Sequence, residues 1–166
     1  MVDLSRRGLF RGRIRPVATQ QRMPWVISEE IFTQHCTRCD DCLRKCPEQI
    51  IQRGDGGFPS VDFSRGECTF CGSCAEVCQA PVFTEQSQPP WQQLAVVSET
   101  CLTFEGVSCR SCEEGCEPEA ITFRPQRGGI SKPEIISDLC NGCGGCISSC
   151  PTNAIQIKRS LEAGYE

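Results

Sequence analysis

The fold of this chain is set by a stretch that reads CTRCDDCLRKCP over residues 36–47. Its spacing, Cys-x2-Cys-x2-Cys-x3-Cys, is typical of a loop that holds a cubane [4Fe–4S] cluster. Three closely spaced thiolates can reach three iron corners of one cluster. The proline that follows the fourth cysteine ends the local helical turn and directs the chain away from the cluster.

The same spacing recurs along the chain, so the motif is not an isolated match. Motifs 1, 2 and 4 are regular, whereas motif 3 has a longer first gap, with Gly106 where the regular spacing would place a cysteine. Together the four motifs account for all 16 cysteines: Cys36, Cys39, Cys42 and Cys46; Cys68, Cys71, Cys74 and Cys78; Cys101, Cys109, Cys112 and Cys116; Cys140, Cys143, Cys146 and Cys150.

Two other uses of so many cysteines are less consistent with this pattern. A disulfide framework suits small secreted domains, and three cysteines within seven residues cannot easily pair with one another. Structural zinc favours two Cys-x2-Cys pairs separated by a longer loop, and a third nearby cysteine would crowd its tetrahedron. We therefore expect iron–sulfur clusters.

Composition indicates that these clusters replace part of a hydrophobic core. Apolar residues make up 39% of the 166-residue chain with cysteine included. Without cysteine the share falls to roughly 30%, which is low for a globular domain. We expect metal binding to be coupled to folding and the fold to be stabilised by its clusters.

Charge and residue content exclude several function classes. The formal net charge is −4, and four oxidised clusters would take it to roughly −12, which disfavours nucleic acid as a partner. With His35 as the single histidine and every cysteine assigned to a motif, we expect no Ser/His/Asp set and no cysteine nucleophile. His35 could tune or ligate a cluster, but we expect an exposed neighbour of Cys36. No phosphate-binding loop is present. The chain is thus expected to be an electron-transfer or accessory protein rather than an enzyme.

An internal duplication predicts the domain organisation. Between motifs 1 and 2, and again between motifs 3 and 4, an apolar pair is followed by a glycine turn and a second apolar segment, which predicts a short hairpin. We expect an α+β fold of tandem bacterial-ferredoxin-like units, with few short strands and helical turns. The predicted divisions are a basic N-terminal segment (1–30), two units (31–88 and 89–160) and a tail (161–166).

In two-cluster ferredoxins the fourth cysteine of each motif binds the cluster of the other motif. Applied to each half, this rule predicts four crossed ligand sets. Pairing motif 1 with 4 and motif 2 with 3 is the alternative. We name the sets site 1 (Cys36, Cys39, Cys42, Cys78), site 2 (Cys68, Cys71, Cys74, Cys46), site 3 (Cys101, Cys109, Cys112, Cys150) and site 4 (Cys140, Cys143, Cys146, Cys116). Site 3 is expected to be the most labile.

The loops also predict unequal cluster potentials. Gly142, Gly144 and Gly145 allow close approach of the backbone, so that N–H groups can point at the sulfurs of site 4. Motif 1 instead carries Asp40 and Asp41, whose negative charge should lower the potential of its cluster.

The N-terminal region is rich in arginine and begins like an export signal. Arg6 and Arg7 resemble a twin-arginine pair, but no apolar stretch follows them, so we expect a cytoplasmic protein. The sequence contains no stretch of 18 apolar residues, so we expect no membrane span. The arginines of this region form either a solvated tail or an arm that docks on an acidic surface; they are Arg6, Arg7, Arg11, Arg13, Arg15 and Arg22.

Beyond the spacing, the sequence resembles the NapF family, the ferredoxin-type accessory proteins encoded with bacterial periplasmic nitrate reductases. The irregular third motif is the most specific part of the resemblance. The stretches that carry it are SRRG (5–8), HCTRCD (35–40), GGFPSV (56–61), CEEGCEP (112–118), ITFRP (121–125) and LCNGCG (139–144).

The resemblance implies a cytoplasmic protein that binds the catalytic molybdenum subunit, NapA, before its export. It would help mature that subunit by supplying electrons or by installing its iron–sulfur cluster. Two other hypotheses remain: a polyferredoxin subunit that feeds electrons to a membrane or soluble redox enzyme, and a structural or zinc-binding module.

Overall fold

The computed structural model describes residues 20–126 and 129–159. It is a small α+β protein of short elements, as the sequence predicts. The helices are α1 (Glu29–His35), α2 (Asp41–Lys45), α3 (Ser73–Glu76), α4 (Ser111–Glu114) and α5 (Gly145–Ser148). The strands are β1 (Ile51–Arg53), β2 (Pro59–Val61), β3 (Gln93–Val97), β4 (Ile121–Arg124), β5 (Lys132–Ile135) and β6 (Ile155–Arg159). Two 3₁₀ turns span Asp55–Gly57 and Phe63–Arg65.

Both predicted hairpins are confirmed. Strands β1 and β2 pair antiparallel, with Ile51 opposite Val61. Strands β4 and β5 pair in the same way, with Ile121 opposite Ile135. Each hairpin joins the last helical turn of one cysteine motif to the first cysteine of the next, so it fixes the distance between two motifs.

A second strand pairing repeats in both halves and was not predicted from the sequence. Strands β3 and β6 pair antiparallel, with Val97 opposite Ile155. In the first half, Val26 forms a single antiparallel bridge with Phe83. Both Phe83 and Ile155 lie five residues after the last cysteine of their half, at Cys78 and Cys150. The duplication therefore extends to the chain that enters and leaves each pair of motifs.

Helix α1 directly precedes motif 1 and was also missed by the sequence analysis. Ser28 caps it by accepting a hydrogen bond from the backbone N–H of Ile31 at 3.2 Å. Glu29 and Glu30 lie in its first turn and His35 in its last, which suits the helix dipole. His35 is exposed, as predicted.

Residues 20–28 pack into the first half, although the sequence division placed them in a separate basic segment. Met23 and Trp25 are buried. Arg22 makes two hydrogen bonds to the carboxylate of Glu29, at 2.6 and 2.7 Å, and a third to the carbonyl of Pro59. Arg22 is thus a structural residue rather than part of a docking arm. Arg6, Arg7, Arg11, Arg13 and Arg15, with the tail 161–166, lie outside the described residues.

The protein has two modest hydrophobic cores, one in each half. Ile147 and Ile157 belong to the second half but pack against both cores. The first core is built from Met23, Phe32, Ile50, Ile51, Val61, Phe63, Cys74 and Val82. The second is smaller and consists of Ala95, Cys112, Ile121, Cys146 and Ile155. Both cores contain cysteine sulfur, so the apolar packing and the cysteine sites share the same interior.

Phe32 anchors α1 in the first core at 1% exposure, so its truncation tests how much this helix contributes. We expect Phe32→Ala to lower the free energy of unfolding by about 3–5 kcal/mol, because it leaves a cavity. Phe104, which is 40% exposed, provides the control, and Phe104→Ala should cost clearly less. Anaerobic guanidinium unfolding followed by circular dichroism measures both; equal losses would contradict the assigned burial.

Candidate iron–sulfur sites

Three of the four predicted cysteine sets each line a separate cavity. The cavities have empty volumes of about 390, 340 and 310 Å³, open mouths included, at sites 2, 3 and 4 respectively. The first contains Cys46, Cys68, Cys71 and Cys74; the second Cys101, Cys109, Cys112 and Cys150; the third Cys116, Cys140, Cys143 and Cys146.

The cysteines of site 1 also lie together, around Cys42. Burial raises the pKa of the Cys42 thiol to about 12, and the neighbouring thiols Cys36, Cys39 and Cys78 add to the shift. Cys78 comes from motif 2 and the other three from motif 1. The structure therefore groups the cysteines across motifs 1 and 2, and likewise across motifs 3 and 4, not across motifs 1 and 4. Their role as ligands remains a prediction, which the variants below test.

The helical turns hold these crossed sets in place. Each motif carries its third cysteine on a helix of four or five residues, and these helices pack in pairs, α2 against α3 and α4 against α5. The third cysteines Cys74, Cys112 and Cys146 are consequently buried, whereas Cys39 and Cys71 are exposed. Sites 1 and 2 thus reach the protein surface at one thiol each.

The cysteine loops adopt a demanding backbone conformation. A left-handed residue stands two positions after the first cysteine, at Arg38, Phe70 and Gly142, and again directly after the second cysteine, at Asp40, Gly72 and Gly144. Left-handed backbone costs non-glycine residues about 1–2 kcal/mol each. Alternating left-handed residues turn successive N–H groups toward one point, which suits an anion.

Motif 4 satisfies this requirement with glycine at both positions, as the sequence analysis expected from its small residues. A Cβ atom built on Gly142 would lie 2.6 Å from Cγ of Gln93, so the close approach also requires glycine there. Motif 1 instead places Arg38 and Asp40 in the strained conformation. Strain of this kind concentrates at functional sites.

Motif 3 departs from the pattern, and the structure shows how its first cysteine still reaches the site. Residues 101–107 form a compact turn closed by backbone hydrogen bonds, including Val107 N–H to the Leu102 carbonyl at 2.9 Å. Thr103 is buried at its centre, with its hydroxyl 3.3 Å from the Cys101 sulfur. The longer loop therefore brings Cys101 to the same cavity as Cys109.

The chain turns back after the fourth cysteine of motifs 3 and 4 and donates a hydrogen bond to its sulfur. The N–H of Ala120 lies 3.3 Å from the Cys116 sulfur, and that of Ala154 lies 3.2 Å from the Cys150 sulfur. Left-handed residues at Glu119 and Asn153 produce this turn. N–H donors of this kind stabilise the thiolate form.

Burial and hydrogen bonding divide the thiols into two groups. Burial raises the pKa of Cys74 and Cys146 to about 12 and that of Cys68 and Cys112 to about 11. The pKa of Cys71 is lowered, chiefly by a hydrogen bond with the Ser73 hydroxyl. At the buried positions, only a bound cation can make the thiolate the stable form near neutral pH.

The charges around motif 1 differ from the sequence expectation. The Arg53 guanidinium lies 3.0 Å from the Asp40 carboxylate and holds its pKa below the usual value. Asp41 forms an ion pair with Arg44. Both acids are therefore paired with arginine, yet the Asp41 charge still helps raise the pKa of Cys78, a thiol of site 1. The expectation that the two acids lower the potential of site 1 stays a prediction.

The cysteine sets fit a cluster better than a single ion. Residues 20–126 and 129–159 contain no group of three or more His, Cys, Asp or Glu side chains placed closely enough to hold one metal ion. A tetrahedral zinc site would need four donors within about 2.3 Å of one point. Here four thiols surround each of the three cavities, which is the donor set that a [4Fe–4S] cluster requires, and N–H donors face the sulfurs of Cys116 and Cys150.

No helix in the described part of the chain has both the length and the apolar character needed to cross a membrane.

Comparison with known proteins agrees with this geometry. The 4Fe-4S dicluster domain matches residues 35–82 and again residues 107–154. The fold and its sites thus define a ferredoxin-type iron–sulfur protein with two dicluster domains.

Curated relatives identify the family more closely. The chain is 46% identical to the ferredoxin-type protein NapF of Escherichia coli K12 over 93% of its own length and 94% of the relative. It is 41% identical to NapF of Haemophilus influenzae at the same coverage. The methylamine utilization ferredoxin-type protein MauM of Methylobacillus flagellatus is 29% identical over 90% of this chain and 72% of the relative. The chain belongs to the NapF family of ferredoxin-type proteins.

Paired cysteine variants test the crossed ligand sets. If Cys36 and Cys78 bind one cluster, the double variant Cys36→Ala/Cys78→Ala should lose about four irons per chain. The matched double variant Cys36→Ala/Cys46→Ala should lose about eight, because it disrupts two clusters. Iron and sulfide analysis after anaerobic purification measures both. The reverse order would show that each motif binds its own cluster.

The ion pair at Asp40 provides a test of site 1 electrostatics. Arg53→Gln leaves the Asp40 carboxylate without its neutralising partner, so the reduction potential of site 1 should fall. Redox titration followed by EPR measures it, with the site 1 signal identified by its loss in Cys39→Ala.

A matched control comes from the second hairpin, where Arg124 forms a similar ion pair with Glu134. Arg124 and Arg53 are 72% and 69% exposed. Arg124→Gln should leave the site 1 potential unchanged. An equal shift in both variants would mean that overall charge, rather than the local pair, is responsible.

Proposed function

We propose that this protein is a cytoplasmic accessory ferredoxin that binds the catalytic molybdenum subunit, NapA, of a periplasmic nitrate reductase before its export. There it supports maturation, by supplying electrons or by installing an iron–sulfur cluster. The observation that carries the proposal is the gathering of all 16 cysteines into four sets, together with NapF relatives that match 93% of the chain.

Sites 1 to 4 would hold four [4Fe–4S] clusters. When bound, such a cluster stores and releases single electrons. The residues of the chain set the conditions: the cysteine sulfurs bind iron, the N–H groups of Ala120 and Ala154 orient the sulfurs of Cys116 and Cys150, and the cores keep water away. Residues 20–126 and 129–159 hold no other constellation that we would assign to catalysis.

Exposure identifies where such a protein can exchange electrons or clusters with a partner. Cys39 and Cys71 are exposed, while the third cysteine of site 2, Cys74, is buried. An exposed ligand is accessible to an incoming acceptor, whether of an electron or of iron and sulfide. Sites 1 and 2 therefore support both versions of the maturation role.

The main alternative is a polyferredoxin subunit that feeds electrons to a redox enzyme. The presence of four cysteine sets within one chain supports this role as much as it supports a role in maturation. Stable co-purification with a membrane complex and turnover as an electron donor would support it. A colourless protein that contains zinc and no iron would instead support a structural module.

The decisive experiment combines composition with partner capture. We expect the tagged, anaerobically purified protein to contain iron and sulfide and to retain unexported NapA from a cytoplasmic extract. Loss of capture in Cys39→Ala/Cys71→Ala would show that the exposed sites contribute. Mature NapA provides the control, and it should be captured less.

Two results would contradict the maturation role. One is failure to capture unexported NapA; the other is normal nitrate reductase maturation in a deletion strain. Isotope-labelled iron then separates the two versions of the role. Label that moves to NapA indicates cluster installation, and label that stays on the chain while NapA becomes reduced indicates electron supply.

A further inference from the structure

The two halves meet at a junction formed by the cysteine loops themselves. The backbone N–H of Cys68 in motif 2 donates to the carbonyl of Cys143 in motif 4 at 2.8 Å. The 3₁₀ turn Phe63–Arg65 packs on α5, which begins two residues after Cys143. Gly144 has a φ of +86°, and a Cβ atom there would collide with the ring of Phe63. The first ligand of site 2 and the second ligand of site 4 are thus fastened together.

Side chains from the connecting segment reinforce this junction. The indole N–H of Trp91 donates to the Asn141 carbonyl at 2.8 Å. The buried amide of Gln93 donates to the Gly142 carbonyl at 3.0 Å. The Trp91 ring also packs edge-on against Phe63 and Phe70, with centroids 6.0 and 5.5 Å apart. These contacts hold the loops of motifs 2 and 4 in one orientation.

Within each half, the two sites are neighbours through their helical turns. Helix α2 packs on α3, and helix α4 packs on α5. The first pair of helices carries ligands of sites 1 and 2, and the second pair carries ligands of sites 3 and 4. Site 1 therefore adjoins site 2, and site 3 adjoins site 4.

We propose that the four sites form one linear series in the order 1, 2, 4, 3, with the step from site 2 to site 4 crossing the Cys68–Cys143 junction. The order follows neither the motif order in the sequence nor a division into two independent ferredoxins. It rests on the cluster-binding part of the proposed function and deepens it. The series makes sites 1 and 3 its two ends.

The step across the junction transfers one electron and no atom. A one-electron reductant, such as dithionite or a reduced partner ferredoxin, supplies the electron at one end. With clusters bound, the cysteines of site 2 would hold the one-electron donor and those of site 4 the one-electron acceptor, so that one site would lose the electron that the other gains. No bond or proton is exchanged. An electron on one cluster would also raise the free energy of adding an electron to the neighbouring cluster, because like charges repel.

Two matched double variants test the order in the full-length protein. Cys39→Ala/Cys109→Ala should keep the inner sites 2 and 4, and Cys71→Ala/Cys143→Ala the outer sites 1 and 3. Each should retain about eight irons. After full reduction, the first should show an EPR spectrum broadened by magnetic interaction, and the second two isolated signals. Isolated signals in both, or interaction between the outer sites, would overturn the order.

A second pair of variants leaves every ligand in place. Phe63→Leu shortens the ring that packs against Gly144 at the junction, whereas Phe32→Leu shortens a buried ring that packs on Phe58 instead. We expect Phe63→Leu to lose part of the interaction broadening of the fully reduced protein while keeping its iron, and Phe32→Leu to lose none. Equal spectra would overturn the junction step.

The readouts separate this proposal from the proposed function. If a ligand variant fails to retain its iron, the phenylalanine pair decides the order, because those proteins keep all ligands and all cysteine loops. Absence of iron from the unaltered protein would contradict cluster binding itself. A coupled spectrum without NapA capture would contradict the maturation role and leave the series standing.

Discussion

The convergence of the thiols into four sets of four, three of which line cavities, is the constraint on which the rest of this structure depends. Each motif places three thiols at one site and its fourth thiol at the neighbouring site. The loops meet this demand with left-handed residues at fixed positions, some of them non-glycine such as Arg38 and Phe70. The hairpins and helical turns serve mainly to hold these loops at the required separation.

The hydrophobic cores are small, and they are not independent of the cysteine sites. Cys74, Cys112 and Cys146 are themselves core residues. Burial raises the pKa of each of these thiols, so the protein without metal keeps them protonated and apolar. Metal binding would exchange those protons for iron, and folding and cluster assembly are then parts of one equilibrium.

Electrostatics show where local sequence is a poor guide. Asp40 lies in motif 1, but its charge is paired with Arg53 of β1, thirteen residues further along the chain. Conversely, Glu67 lies next to motif 2 in the sequence, yet its charge acts on Cys143 of motif 4 and helps raise the pKa of that thiol. Arg53 and Cys143 are distant from these acids in the chain, so neither effect follows from the neighbouring residues.

The sequence by itself determined the motif class, the family, the two hairpins and the grouping of motifs within each half, because ligand spacing and glycine turns are local properties. It also indicated which loop needs glycine, since close backbone approach leaves no room for a Cβ atom. Helix α1 was missed although Ser28 and two glutamates mark its start, because the cysteine pattern dominated that region. Only the tertiary structure decided the pairing of β3 with β6, the ion pair of Asp40 with Arg53 and the junction between Cys68 and Cys143. The same holds for the effect of the Glu67 charge on Cys143. Each of these joins residues far apart in the chain, and the contacts of Glu67 and Cys68 with Cys143 depend in addition on how the two halves pack.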